Sequence, residues 1–397
     1  MLVTSAACTS NTAPSPSGVG NSNDDNTMAS SDIGNGDEGE IDGEGEADWS
    51  PADGLVVTGS CELLYAKNFT IDFCIGGYNL ISIFDGQKFL TIPEDSEIPA
   101  GLDEDIILIQ MPLNNIMVSS TPTMSLINAI GGLDSVSMTT ADVGSWYIEN
   151  VIRKMEDGEI IYIGAYQTPD YEMLADLDPP FAIFSTMLNS VPDVAEKLDE
   201  LGIPVLLDQA TFEPHPLGRI EWMKLYAVLF NLEEAAEAAF NEQVKVVESL
   251  EIDDSIEKTV AIFYIISNGN FVVRNAGDYF VYMLELAGGT YINKDQKPDE
   301  TGNTQMEGEA FFAGAYDADY IIYIHNLGGR PSDLEAFKAL NPVLENFKAV
   351  TQGNVWCTTP DFFQVADTLG YMIKDINTML TSDDTGLTEL DYLFKLN

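Results

Sequence analysis

Basic residues are scarce in this chain of 397 residues, where 17 Lys and Arg stand against 65 Asp and Glu, a formal net charge of -48. So acidic a surface argues against binding nucleic acid or an anionic membrane through its bulk, because both need clustered cations. Histidine is scarcer still: only His215 and His325 occur, too few for a multi-histidine zinc or manganese site. The four cysteines, Cys8, Cys61, Cys74 and Cys357, are too few for a disulfide scaffold and show no CxxC or Cys/His metal spacing. Cys61 and Cys74 read as two unpaired buried thiols, with pairing across a hairpin as the alternative. No apolar run reaches the roughly 18 residues of a membrane span. No GxGxxG follows a strand and no P-loop occurs, so a phosphate cradle is missing.

What is present is enough apolar material, 45% of the residues, for the cores of two domains of ordinary size once a tail is discounted. The tail is residues 1–54. Ser, Asn, Gly, Pro and acidic residues fill most of it, and no Lys or Arg occurs before Lys67. Ser5-Ala6-Ala7-Cys8 resembles the end of a bacterial lipoprotein signal, in which small residues precede the cysteine that is lipidated. The charged region and most of the apolar core of such a signal are absent, so this reading implies a truncated start and makes the tail an acidic tether. The alternative is a plain disordered N-terminus.

The stretch 204–250 organises the rest. A short apolar strand at 205–207 leads through a loop holding Phe212, Glu213, His215 and Arg219 to Pro216, a residue favoured in a first helical turn. Ile220, Met223, Leu225, Tyr226, Val228, Leu229 and Phe230 then recur at helical spacing, continued by Ala235, Ala239, Val246 and Leu250. On each side lie strands alternating with helices. The spacing predicts two Rossmann-like α/β lobes, 55–215 and 252–397, joined by a single long interlobe helix over 216–251. A β-meander with an Asp85-Gly86 turn decorates the first lobe. Helices are expected over 123–130, 143–155, 169–177 and 191–201. In the second lobe the pattern is a strand, a loop over 267–274, and a helix over 279–286. Helices follow over 332–340 and 364–380, with the strand NVWC and the loop 358–361 between them. PDYEMLADLDPPFAIF and GEAFFAGAYDADYIIYI share one grammar: a glutamate at a helix start, an Asp-rich turn, a buried strand. Ligands of parallel α/β sheets sit beyond the carboxyl ends of the strands, so the loops of the two lobes are expected to converge on one cleft.

EPHPLGRIEWMKLYAVLF, MLELAGGTY, DADYIIYI and NVWCTTPDFFQ, in that order and spacing, resemble ABC-transporter solute-binding lipoproteins of the iron-complex and vitamin B12 type. The resemblance runs from about residue 61 to 380. It implies a lipid anchor at Cys8 on the extracellular face of a Gram-positive membrane, or the periplasm of a Gram-negative cell. It also implies an ABC permease and its ATPase as partners, a monomer, no intrinsic cofactor, and a ferric chelate, haem or corrinoid as ligand. One surface glutamate per lobe meets the permease in that family, which falls on Glu172 in the first lobe. In the second it falls on Glu309, with Glu307 close by.

The chain has four arginines, Arg153, Arg219, Arg274 and Arg330, and three of them follow strand ends. Guanidinium groups grip carboxylate or catecholate oxygens with two parallel donors, so they suit an anionic or oxygen-rich ligand. For Arg219 a structural pairing with Glu213 or Glu221 is the rival reading. Tyr166, Phe212, Trp222, Tyr279, Phe362 and Phe363 are candidate walls, although Trp222 and Tyr279 at helical spacing also read as core. Ser119, Gln167, His215, Asn268, Asn270 and Thr358 complete the expected ligand contacts. No metal ligand and no catalytic residue is assigned. The function read is capture of an iron-siderophore-like chelate for an importer. The alternatives are haem or corrinoid binding, a two-lobed transferase, and a surface adhesin.

Overall fold

The computed structural model describes residues 49–252, 257–325, 327 and 331–397. Cys8, Arg330 and nearly all of the expected tether lie outside the described residues. Three sheets carry the rest, in one compact unit from Asp48 to Asn397. The first comprises β1 (Val57–Ser60), β2 (Phe69–Cys74), β3 (Asn79–Ile83), β4 (Lys88–Ile92) and β5 (Ile106–Gln110), in that order. It is the expected meander, antiparallel through β4 and closed by a parallel β5. Gly86 turns the β3–β4 hairpin at φ 100°, a value that glycine reaches without strain. Cys61 and Cys74 are both free thiols, the first half-buried and the second buried.

The second sheet is parallel throughout, in the order β10-β9-β6-β7-β8. Its strands are β6 (Ile116–Ser119), β7 (Val136–Thr139), β8 (Ile161–Tyr162), β9 (Ala182–Ser185) and β10 (Val205–Asp208). The helices between them are α1 (Thr121–Ala129), α2 (Glu149–Glu156), α3 (Tyr171–Leu177) and α4 (Pro192–Glu200). β6 is buried along its whole length, as a central parallel strand covered on both faces must be. The helix expected over 143–155 is divided. Asp142 caps a 3-10 turn through Gly144 N–H at 3.0 Å, the chain extends at Trp146, and α2 starts only at Glu149.

The bridge between the lobes is helical, in three segments: α5 (Pro216–Glu221), α6 (Met223–Phe230) and α7 (Glu233–Glu248). Pro216 occupies the first turn of α5, and His215 Nδ1 caps it by accepting Leu217 N–H at 3.1 Å. Trp222 keeps helical dihedrals between α5 and α6. Asn231 turns left-handed, at φ 56° and ψ 48°, and ends α6. Asparagine is among the few non-glycine residues that enter that region readily, which is why apolar spacing alone runs straight through the bend.

The third sheet is mixed, in the order β14-β12-β11-β15-β16-β17 with β13 beside β11. Its strands are β11 (Thr259–Ile265), β12 (Phe271–Arg274), β13 (Thr290–Tyr291), β14 (Asn303–Met306), β15 (Tyr320–Tyr323), β16 (Val355–Thr358) and β17 (Leu393–Lys395). Its helices are α8 (Tyr279–Leu286), α9 (Gly308–Ala315), α10 (Leu334–Ala339), α11 (Lys348–Thr351) and α12 (Leu369–Thr381). Residues 271–274, expected within a loop, are thus a strand antiparallel to β11. Phe271, Val272 and Val273 are buried there, and such β-branched and aromatic residues favour a strand. The two matched segments do occupy equivalent places, α3 leading into β9 and α9 into β15. One apolar cluster runs from the first sheet through the bridge to the third sheet. A second covers the other face of the parallel sheet, around Met117, Met138, Leu174 and Phe184.

Candidate functional site

A cavity of about 670 Å³ lies between the lobes. On the first-lobe side polar lining comes from the carboxyl ends of four parallel strands: Ser119 ending β6 with Ser120 after it, Thr139 ending β7 with Thr140, Ser185 ending β9 with Thr186, and Asp208 ending β10. Parallel pairing aligns these ends, so the hydroxyls form one row. Ser119 and Thr140 share a hydrogen bond of 2.6 Å. Ser120 caps α1, accepting from Thr123 N–H at 3.4 Å.

Asp208 was not among the expected contacts. Its carboxylate is buried and accepts from Ala210 N–H at 2.7 Å, from Tyr226 O–H at 2.8 Å and from the Thr123 hydroxyl. Burial pushes its pKa up, and those three donors offset part of the shift. An aspartate closing the apolar strand VLLD was the available signal.

The opposite wall is charged. Arg219 Nε donates to the Glu213 carbonyl at 3.1 Å, Nη2 donates to the Thr211 carbonyl, and the guanidinium lies 3.5 Å from the centroid of the Tyr279 ring. Neither Glu213 nor Glu221 pairs with it through its carboxylate. Both are fully buried and hold the 64–68 loop instead. Glu221 accepts from Leu64, Tyr65 and Ala66 N–H, each at 2.8 Å, and Glu213 from Lys67 and Asn68 N–H at 3.0 and 2.8 Å.

Arg274 ends β12 and is 6% exposed. Its Nη1 stands 3.7 Å from Asp278 Oδ1, while Nε and Nη2 are buried without a hydrogen-bond partner among the described residues. Asp278 also caps α8 through Phe280 N–H at 3.1 Å and accepts Gly302 N–H at 2.9 Å. That second bond ties down the strand-flanking segment whose Thr301, Gly302 and Asn303 line the cavity.

Of the expected contacts, Ser119, Tyr166, Phe212, Arg219, Arg274, Tyr279 and Phe362 meet around this cavity, together with Phe363. Gln167, His215, Trp222, Asn268, Asn270 and Thr358 do not line it. Trp222 is fully buried, its Nε1 donating to Glu213 Oε1 at 3.2 Å and its ring edge-on to Phe69. His215 is held as a cap between the Tyr65 and Tyr282 rings, and burial lowers its pKa to about 4. Asn268 and Asn270 sit in the β11–β12 hairpin turn, Asn268 Oδ1 accepting Asn270 N–H at 3.0 Å. Thr358 is buried in β16, its hydroxyl accepting His325 N–H at 3.1 Å. Gln167 is exposed in the turn after β8. Glu172 and Glu309 are exposed in the first turns of α3 and α9, and Glu307 is the N-cap of α9.

The family model for periplasmic binding proteins matches residues 118–362, a span that takes in nearly all of the parallel sheet, the bridge and most of the third sheet. The chain belongs to the periplasmic-binding-protein family. Proteins of this family are transport receptors and not enzymes, which removes the transferase reading. A permease and a small-molecule ligand are their partners. A lipoprotein of Methanocaldococcus jannaschii, MJ0878, is 27% identical over 329 residues, 76% of this chain and 77% of its own length. The petrobactin-binding protein YclQ of Bacillus subtilis superposes with a TM-score of 0.57 at 13% identity, covering 77% of this chain and 99% of YclQ. A periplasmic haem-binding protein of Pseudomonas aeruginosa gives 0.55 at 14% identity, covering 72% and 98%. These superpositions establish the two-lobed fold of this periplasmic binding protein. Among its described residues no helix is long and apolar enough to cross a membrane, and no group of three or more His, Cys, Asp or Glu could hold a metal ion.

Proposed function

We propose that this periplasmic binding protein captures an anionic, oxygen-rich metal chelate of the iron-siderophore kind in the interlobe cavity and delivers it to an ABC permease. The observation that carries the reading is Arg274, a buried guanidinium on the cavity wall with two orphaned donors. Leaving such donors unpaired is costly, and a turn of the guanidinium toward the cavity would give them a carboxylate, catecholate or hydroxamate oxygen as partner. The hydroxyl row opposite suits the neutral oxygens of the same cargo. Haem or a corrinoid is the second reading, favoured by Tyr166 in the lining and by the apolar Met187, Phe212 and Phe363 around it. We assign residues 1–54 as tether, 55–215 and 252–397 as the two lobes, and 216–251 as the bridge. Lipidation of Cys8 would hold the monomer on the outer face of the membrane, in keeping with relatives named as lipoproteins.

Mass spectrometry of whatever co-purifies with the full chain tests the cargo. An iron-bearing chelate supports the reading, whereas a sugar or a peptide overturns it. Glu172 and Glu309 are the proposed permease contacts, each at the exposed start of a helix in matched positions of the two lobes. Glu172→Arg is expected to cut uptake in cells at least tenfold while leaving affinity in solution unchanged. An equal fall in affinity would remove the docking role.

A further inference from the structure

The segment between β16 and α12 does two things at once. Phe362, Phe363 and Ala366 face the cavity, and the residues between and beside them reach across to the other lobe. Gln364 Nε2 donates to the Ser145 carbonyl at 2.7 Å, and Gln364 Oε1 accepts Tyr147 N–H at 2.9 Å. Three residues on, Asp367 N–H donates to Ser125 Oγ at 3.3 Å, and the Ser125 hydroxyl donates back to Asp367 Oδ1. Each pair is reciprocal, one donor and one acceptor on either side. Such two-point contacts fix orientation as well as distance.

The receiving surface is built beforehand. Asp142 holds the 142–145 turn, accepting Gly144 N–H at 3.0 Å and the Ser145 hydroxyl at 2.8 Å, so the Ser145 carbonyl and Tyr147 N–H are presented in a set geometry. Trp146, between them, is buried, lines the cavity and donates its indole N–H to the Ala141 carbonyl at 3.2 Å. Ser125 is buried on α1, the helix that follows the hydroxyl-bearing end of β6. Both receiving groups thus belong to elements that also carry cavity residues.

We propose that Gln364 and Asp367 form an interlobe clasp that sets the aperture of the cleft and must part for cargo to leave. The clasp acts on the cavity of the proposed function, yet it needs no identified cargo to be tested. Movement of the Phe362–Phe363 wall is transmitted to Gln364 and Asp367 because they share one short irregular segment. The Gln364 bonds are exposed and the Asp367 bonds half-buried, and the segment also packs on α1, so docking on a permease must loosen that packing together with the bonds.

Amide hydrogen exchange on the unliganded full chain tests the clasp. Gln364→Ala and Gln364→Met each remove both polar contacts of that residue, and Met retains the length of the side chain. Both are expected to speed exchange at the Tyr147 amide about tenfold, the scale of one or two net hydrogen bonds. Ser125→Ala breaks the second pair and, combined with Gln364→Met, should speed exchange further and broaden the interlobe distance distribution between two spin labels. Ser137→Ala loses a bond of 2.6 Å to Asn115 inside the first lobe and is the control. Unchanged Tyr147 exchange in Gln364→Met, or an equal rise in Ser137→Ala, would overturn the clasp. Neither result bears on the cargo reading, which rests on Arg274.

Discussion

On the first-lobe wall of the cleft the polar side chains are a row of hydroxyls and one carboxylate, Asp208, at the ends of parallel strands, among apolar neighbours such as Trp146, Phe184 and Phe212. On the second-lobe wall the cavity residues come from the end of an antiparallel strand, the start of α8 and a strapped segment, and charge holds them together through Asp278 and Arg274. The hydroxyls of the first wall are placed by backbone topology, with Asp208 tying α1 and the bridge behind them through Thr123 and Tyr226. The second depends on individual ionic contacts, one of them incomplete. On the proposed function, Arg274 in the second lobe reads charge on the cargo and the hydroxyls of the first read neutral oxygens.

The sharpest way to break this contrast is Arg274→Met. Affinity for the co-purified cargo should fall at least about 100-fold, since charge-assisted hydrogen bonds are worth about 1.5–3 kcal/mol each. The melting temperature of the unliganded protein should change little, because removal of two unpartnered buried donors offsets the loss of the 3.7 Å contact to buried Asp278. A titration and a thermal melt read the two effects separately. A large loss of stability with unchanged affinity would make Arg274 a structural residue.

Asp208→Asn comes next and probes the one charged group on the hydroxyl wall. With the amide oxygen in place of Oδ2 both Thr123 and Tyr226 keep their acceptor, but the amide nitrogen then faces Ala210 N–H, which loses its own. Chemical denaturation should show a loss of about 1–3 kcal/mol. Single hydroxyl deletions, Thr140→Ala or Ser185→Ala, should weaken binding only about 2- to 10-fold each. If either matched Arg274→Met, the division between the walls would fail.

The fold was legible where periodicity is strong. The parallel strands ending at Ser119 and Ser185, the helical bridge and the paired α3–β9 and α9–β15 units all follow from apolar spacing. The β11–β12 hairpin was not, because Ser267 to Arg274 opens with a polar turn that hides the short FVVR strand. That miss moved the expected contacts to Asn268 and Asn270, at the turn, although Arg274 at the far end of the same strand does reach the cavity. His215 and Trp222 misled for another reason. Proline after a histidine, and a tryptophan in a helix, mark capping and core packing as well as they mark a ligand site. The roles of Glu213 and Glu221 rest on contacts about 150 residues away along the chain, beyond the reach of local pattern.

The bridge has one further consequence. Its segments alternate in what they touch: α5 packs on α8 and α12, α6 on α1, and α7 again on α12, while Glu213 and Glu221 fasten its start to the 64–68 loop. A connector stitched to both halves in this way acts as a seam more than a pivot. Swinging the halves widely apart would tear apolar contacts along its whole length, so recognition falls to a mould cast when the chain folds, with only its lip left free to yield.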